Sequence, residues 1–591
     1  MRWSLKELYP SFESKEFKDD SEKILKMIEE INLFAKDNLN DHTNGKEKIE
    51  QYVNYNIKIT KLISKVLGFS NLNMAVDARN EVARENYSRI AMKLTDLTRP
   101  EVLFQKFILD EEQFDHYIEE SLLLKEHEFY LQEAKRNASY MLSEGEEILI
   151  SKLSATGSKA WTNLQNIITS TLLVEMVVDG KEFKLPLPAV RNLAYDKDAK
   201  VRKAAYDAEL SAYVKIEESS AAALNGIKGE VITINGTRGY SSPLEETLIS
   251  SRMDESILEA MFLAIRESLP YFEDYLKRKA KLLGHAKGLP FYDLFAPIGE
   301  VQRNFTYEEA IAFVVKNFNT FSDRLGGFAQ NAYNKNWLDI EPRDGKRGGA
   351  FCSNLHAIGE SRVMSNFDGS FSSMTTLAHE LGHGYHGLNL KGESILNSSY
   401  PMPIAETASI LCETIVVNAA LKEADEKEAL TILEQSISDA CQVIVDIYSR
   451  YLFETELFKV REDHPLSVNE LKAMMVKAQK EAYGEGLDPD ILHPYMWLNK
   501  THYYSAGRNF YNFPYAFGLL FSKGLYAEYL KRGEDFVAEY DELLASTGKS
   551  SVKDIALTMG IDVTKPDFFR ASLQIVEEDI KKFLSLTERL E

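Results

Sequence analysis

The sequence predicts a mainly α-helical protein, and three observations carry that prediction. Apolar residues recur at helical spacing in Ile24, Met27, Ile28, Ile31 and Phe34. Similar stripes run through residues 100–175, 253–283 and 425–460. Strand-like patterns, by contrast, are few and short. At 591 residues with 44% hydrophobic content, the chain can bury more than one core, and its length points to two or more structural units.

The strand-like stretches come in order along the chain. Val177–Phe183 reads as a hairpin, with Asp179-Gly180 supplying the two left-handed positions of a tight turn. Gly229–Asn235 reads as a further strand, interrupted by Gly236 and Gly239. The small-residue run Gly348, Gly349, Ala350 leads into a short strand at Phe351, followed by another at Ser361–Phe367. An exposed strand edge pairs with an extended peptide through main-chain hydrogen bonds, so Gly349, Ala350 and Phe351 are candidate substrate-binding residues; a buried hairpin with no ligand contact is the other reading.

Composition excludes several classes. The 69 basic and 91 acidic residues give a net charge of −22 without a basic cluster, which excludes nucleic acid as a partner and suits a solvated acidic surface. Only Cys352, Cys412 and Cys441 occur, scattered and without a CxxC, so no disulfide framework is expected and each reads as a small packed hydrophobe. The start, Met1-Arg2-Trp3-Ser4-Leu5-Lys6-Glu7, has no apolar signal core, and no run approaches a membrane span. The expectation is a cytoplasmic protein with no membrane partner, monomeric or a small homo-oligomer.

His379-Glu380-Leu381-Gly382-His383 carries the chemistry. Residues i and i+4 of a helix share a face, so His379 and His383 direct ring nitrogens at one metal ion while Glu380 is placed to take a proton from water. Ser370, Ser372 and Ser373 supply a helix cap, and Met374, Leu377, Ala378 and Leu381 an apolar face. Gly382 and Gly384 weaken a helix, which is consistent with another element or a substrate approaching closely there. Chance yields HExxH in roughly one chain in fifty of this composition, so a third ligand must be found.

The position where a metzincin has its third His is Asn389, which excludes that family. His386 lies about a turn beyond His383 and reads as a packing or supporting residue beside the ligands. Tyr400–Glu406 reads as a loop entering a helix, with Pro403 in its first turn. Glu406 and Glu413, seven apart on one face, read either as third metal oxygen and acceptor for a ligand His N–H, or as exposed helix charges.

The run HELGHGYH at 379–386, followed by Pro403, Ala405, Glu406, Thr407, Ala408, Ser409 and Glu413, resembles the thimet oligopeptidase superfamily, closest to its oligoendopeptidase F branch. Leu5–Phe12, Lys346–Cys352, His502-Tyr503-Tyr504 and Phe510–Gly518 resemble further segments of that family in the same order. The resemblance implies a two-lobed helical metallopeptidase, with a small β-sheet near the active site and a deep central channel that admits short peptides. It implies one zinc ion per chain held by His379, His383 and Glu406, with Glu413 beside them and Glu380 as general base. His502, Tyr511 and Tyr515 fall on the family's oxyanion donors, with Tyr504 as an alternative for one Tyr. By analogy, residues 1–200 form an N-terminal helical domain and 201–591 the catalytic domain. Competing readings are an exopeptidase on the same scaffold, a thermolysin-like enzyme, whose second-helix signature and secretory leader are missing, and a non-catalytic peptide binder with structural zinc, which would need a fourth protein ligand.

Overall fold

Caps followed by apolar stripes account for much of the architecture. The hydroxyl of Ser14 accepts from the Phe17 N–H (3.3 Å) and opens a helix over Lys15–Asn38 that buries Phe17, Ile24, Met27, Ile28, Ile31 and Phe34. Each such buried side chain contributes about 1.5–3 kcal/mol relative to exposure. The structure, a computed structural model, describes residues 1–299 and 304–590, and helices dominate them. The expected stripes at 253–283 and 425–460 form the helix Glu255–Leu282 and the helices Glu426–Cys441 and Ile447–Arg461, the last two joined by one π-helical turn at Gln442–Asp446.

Two small sheets complete the described residues. Strands β1 (Leu173–Val178) and β2 (Lys181–Pro186) form the expected antiparallel hairpin, with Val178 opposite Lys181. Its turn residues, Asp179 (φ 49°) and Gly180 (φ 76°), are both left-handed, as a two-residue hairpin turn requires. Strands β3 (Leu338–Asp339), β4 (Phe351–Leu355) and β5 (Glu360–Met364) form a sheet in the order β3-β5-β4, with β3 parallel and β4 antiparallel to β5. Strand β5 stops three residues short of the expected end, although the Ser365 and Phe367 N–H groups still donate to Asp339 and Ile340 carbonyls at 3.0 Å.

Two sequence expectations are overturned. Gly229–Asn235 is not a strand but lies inside the helix Glu217–Arg238, which ends where Gly239 (φ 93°) takes a left-handed cap. Ile227, Val231 and Asn235 are buried at four-residue spacing, and a Cβ at Gly226 or Gly229 would collide with Trp161 or Arg461. Packing against neighbours therefore overrides the local preference of Val231, Ile232 and Thr233 for a strand. Second, the stretch Met402–Glu423 is long and apolar enough, by length and composition, to cross a membrane, contrary to the expectation of no such run. It is two helical pieces, and Ala408, Leu411, Cys412 and Val416 are buried.

The chain forms two compact units, each assembled from three stretches. The first comprises Met1–Met141, Arg303–Ala420 and Glu528–Ile561; the second comprises Leu142–Gln302, Leu421–Ala527 and Asp562–Glu591. In the first unit, Leu8 and Tyr9 enter the core around Phe17, Phe69 and Phe104. The fully buried Arg362 on β5 donates to the Ser4 carbonyl (2.6 Å) and the Glu7 carboxylate (3.0 Å), tying the chain start to the sheet.

Candidate metal centre

The helix carrying the HExxH run spans Phe371–Asn389, and Ser370 caps it by accepting from the Ser373 N–H (3.1 Å). Met374, Leu377, Ala378 and Leu381 are buried as expected, which fixes the face on which His379 and His383 project. Their rings lie 4.9 Å apart, centroid to centroid. A Cβ on Gly382 would lie 2.6 Å from the Ala408 carbonyl oxygen and the Ser409 Cα. One on Gly384 would lie 2.7 Å from the Phe328 ring. Gly382 thus allows the close approach of the segment that carries Glu406, and Gly384 that of the Phe328 ring.

That segment bends at the residue that matters. A short helix, Met402–Ala405, has Pro403 in its first turn, and Glu406 (φ −93°, ψ 4°) separates it from the helix Thr407–Glu423. The bend brings Glu406 Oε2 to 3.2 Å from His379 Nε2 and 3.4 Å from His383 Nε2. Donors on one tetrahedral ion at about 2.0–2.1 Å lie about 3.3 Å apart, so the spacing fits zinc. Among the described residues these three side chains are the group able to hold a metal, their donor atoms all within 4.8 Å of one another.

The surroundings fix the tautomers. Glu413 Oε2 lies 3.1 Å from His379 Nδ1, and the Ala405 carbonyl accepts from His383. With Nδ1 of His379 donating, its Nε2 lone pair faces the Glu406 oxygen, an arrangement that calls for a cation between them. Burial pushes the His379 pKa down, but its hydrogen bonds to the Glu406 and Glu413 carboxylates outweigh it and hold the value at about 10. Burial lowers His383 to about 4. Glu406, despite burial, is held at about 2 by the His379 hydrogen bond and the nearby His383. The Ser409 hydroxyl also donates to Glu406 Oε2 at 2.7 Å.

Glu380 is buried on the same helix, and burial raises its pKa to about 7, with the charge of Glu406 adding to the effect and His379 opposing it. The backbone N–H of Cys352 on β4 donates to its carboxylate. His386 does not join the ligands: it is fully buried, its Nε2 is 2.8 Å from the Thr547 hydroxyl, and its ring stacks on Tyr400 at 4.1 Å.

Strand β4 is an edge of its sheet, so its outer main-chain groups have no partner strand among the described residues. The approach to it is pinned: Lys346 donates to the carbonyls of Asp339 (3.0 Å) and Ser365 (2.7 Å) and pairs with the Asp339 carboxylate (2.8 Å). Gly349 turns the chain at φ 79°, and Asn366 donates to the carbonyls of Arg347 and Gly349 at 3.0 and 3.1 Å. Ala350 and Phe351 follow, half-buried.

His502, Tyr511 and Tyr515 come together in the second unit. The Tyr511 and Tyr515 hydroxyls are 2.8 Å apart, and the His502 and Tyr511 rings stack at 5.7 Å. Pro514 sits in the first turn of the helix Phe513–Arg532, where its missing N–H leaves no helical hydrogen bond unmade. Tyr504 is wholly buried. Sequence reasoning missed Ser409, the Ala405 carbonyl, and Asn512, whose Nδ2 is 2.7 Å from His502 Nε2. The Ser three residues beyond Glu406 was a readable signal; the other two depend on tertiary geometry.

Residues 192–575 match the profile of Peptidase family M3, and residues 108–172 that of Oligopeptidase F. The chain is 24% identical to Oligopeptidase PepF of Bacillus subtilis (strain 168), an alignment covering 99% of this chain and 87% of that protein. It is 26% identical to an Oligoendopeptidase F homolog of Borreliella burgdorferi, covering 91% of each. Its backbone is similar to the crystal structure of oligoendopeptidase-F from Enterococcus faecium, with TM-score 0.70 at 18% identity over 97% of this chain and 99% of that one. The crystal structure of a Chlamydophila abortus protein superposes with TM-score 0.87 at 20% identity, covering 99% of this chain and 98% of that one. Identities this low bear on the fold.

Proposed function

The chain belongs to peptidase family M3, in its oligoendopeptidase F branch, and from that premise we propose that this peptidase is a zinc-dependent endopeptidase of short peptides. The observation that carries the proposal is the convergence of His379 Nε2, His383 Nε2 and Glu406 Oε2 beside the buried carboxylate of Glu380. Three protein donors would leave a fourth position of a bound ion to water or substrate, which favours a catalytic over a structural ion. A bound zinc supplies Lewis acidity that acidifies water and polarises a carbonyl.

Glu380 takes the proton of the attacking water and returns it to the leaving amine. The Cys352 N–H orients that carboxylate, and Glu413 and the Ala405 carbonyl keep both imidazoles facing the ion. We assign an extended peptide to the edge of β4, which begins at Phe351 and which Gly349 and Ala350 lead into, an edge that reads main chain and not side chains. To His502, Tyr511 and Tyr515 we assign donation to the oxyanion, a role supported by the family resemblance and by the pairing of the two phenols. The three cysteines are free, in keeping with a reducing, cytoplasmic setting.

An internally quenched peptide blocked at both ends tests the reading. Cleavage that a chelator abolishes and one equivalent of zinc restores is expected. A panel of blocked peptides left intact while free-ended ones are trimmed stepwise would replace endopeptidase with exopeptidase.

A further inference from the structure

Asn512 sits between two groups of fixed chemistry. Arg450 Nη1 lies 3.0 Å from Asn512 Oδ1, and Asn512 Nδ2 lies 2.7 Å from His502 Nε2. A guanidinium has only donors, so the amide oxygen must face Arg450 and the amide nitrogen must face His502. An amide NH₂ only donates. His502 Nε2 is therefore an acceptor without a proton.

The arrangement is held from behind. Arg450 is paired with Asp446, the last residue of the π-helical turn Gln442–Asp446, one helical turn before it. Such turns insert one residue into a helix and re-aim the side chains beyond the insertion, and they recur at functional sites. Asn512 is 8% exposed and His502 7%, so water does not compete freely for these groups. The next anchor along the loop is Asn509, whose Oδ1 accepts from the fully buried Lys228 at 2.8 Å. The two asparagines thus fix the stretch that carries Tyr511.

Resting on the peptidase reading above, we propose that Asn512, oriented by Arg450, is a positioning residue that sets His502 as the neutral tautomer protonated on Nδ1. His502 then serves the oxyanion as a hydrogen-bond donor through Nδ1–H and not as a general acid. Among the described residues Nδ1 has no hydrogen-bond partner, which leaves that donor available. Charge does not offer a third state. Burial, then the positive charges of Arg450, Lys500, Lys228 and Arg508, hold the imidazole pKa at about 3, so the choice near neutrality lies between two neutral tautomers. The amide makes it.

Solid-state ¹⁵N NMR of histidine-labelled protein reads the tautomer directly, with the His502 signal identified by its loss in His502→Gln. In wild type, the expected result is a protonated Nδ1 and a bare Nε2. In Asn512→Asp, a carboxylate replaces the donor facing Nε2, and the proton is expected to move to Nε2. Zinc content should remain one per chain, and kcat should fall by about 10²-fold with KM nearly unchanged, as when one oxyanion donor is lost. A wild-type His502 protonated on Nε2 would overturn the proposal without any variant being needed. So would an Asn512→Asp protein whose tautomer matches wild type. The NMR result requires no substrate, so a wild type with the expected tautomer that cleaves no blocked peptide would sink the endopeptidase reading alone.

Discussion

The candidate metal centre and the His502–Tyr515 region are built on opposite principles. His379 and His383 hang from one helix, and Glu413 lies on a second helix pressed against it at Gly382. Their relative positions follow from helical periodicity and one close packing contact. His502, Tyr511 and Asn512 lie on a 3₁₀ turn and an irregular loop, and hydrogen bonds from Arg450 and Lys228 on distant helices hold them. The first region is specified by spacing, the second by partners far away in the chain, so the two should fail differently when altered.

The largest effect should come from breaking the spacing-defined region at a proposed ligand. Glu406→Ala removes the one oxygen that both imidazoles face, and bound zinc measured by atomic emission should fall from about one per chain to near zero, taking peptidase activity with it. A variant that kept stoichiometric zinc would break the comparison. On the other side, Tyr515→Phe removes a hydroxyl without altering the packing of its ring, so kcat should fall by about 10²–10³-fold while zinc stays bound. Metal loss in that variant would show the regions to be less separable than described.

Smaller effects sharpen the contrast. Glu413→Ala deprives His379 Nδ1 of its acceptor and should weaken zinc about 10–100-fold, measured by competition with a chromogenic chelator. Gly382→Ala puts a methyl 2.6 Å from the Ala408 carbonyl and should cost about 1–3 kcal/mol, read as a lower thermal midpoint, with weaker zinc binding because the Glu406 segment must back away. Gly348→Ala, with open space around its Cβ position and no positive φ, should be nearly neutral in the same assay.

The same contrast explains what the sequence disclosed. His379, Glu380 and His383 stood out because fixed offsets along one helix translate directly into a shared face, whereas Glu406 and Glu413 were picked out through the family resemblance, since Glu406 sits at a break between two helices. The hairpin was legible from Asp179-Gly180, two residues suited to left-handed backbone. Gly229–Asn235 was misread because its β-branched run carries a local preference that Trp161 and Arg461 override, and neither neighbour is visible from the segment itself. Asn512 looked like one polar residue among aromatics, since its meaning comes from Arg450, a partner 62 positions earlier. That there are at least two units was expected from chain length, but which stretches share a unit is not a local property, since each unit gathers three separated stretches.

The most direct test concerns Glu380, the buried carboxylate to which the general-base role is assigned. Zinc content and cleavage of a doubly blocked quenched peptide should be measured side by side for wild type and Glu380→Gln. The account predicts one zinc per chain in both proteins and a fall in kcat of about 10²–10⁴-fold in the variant. A variant that holds zinc and cleaves within a few-fold of wild type would contradict it.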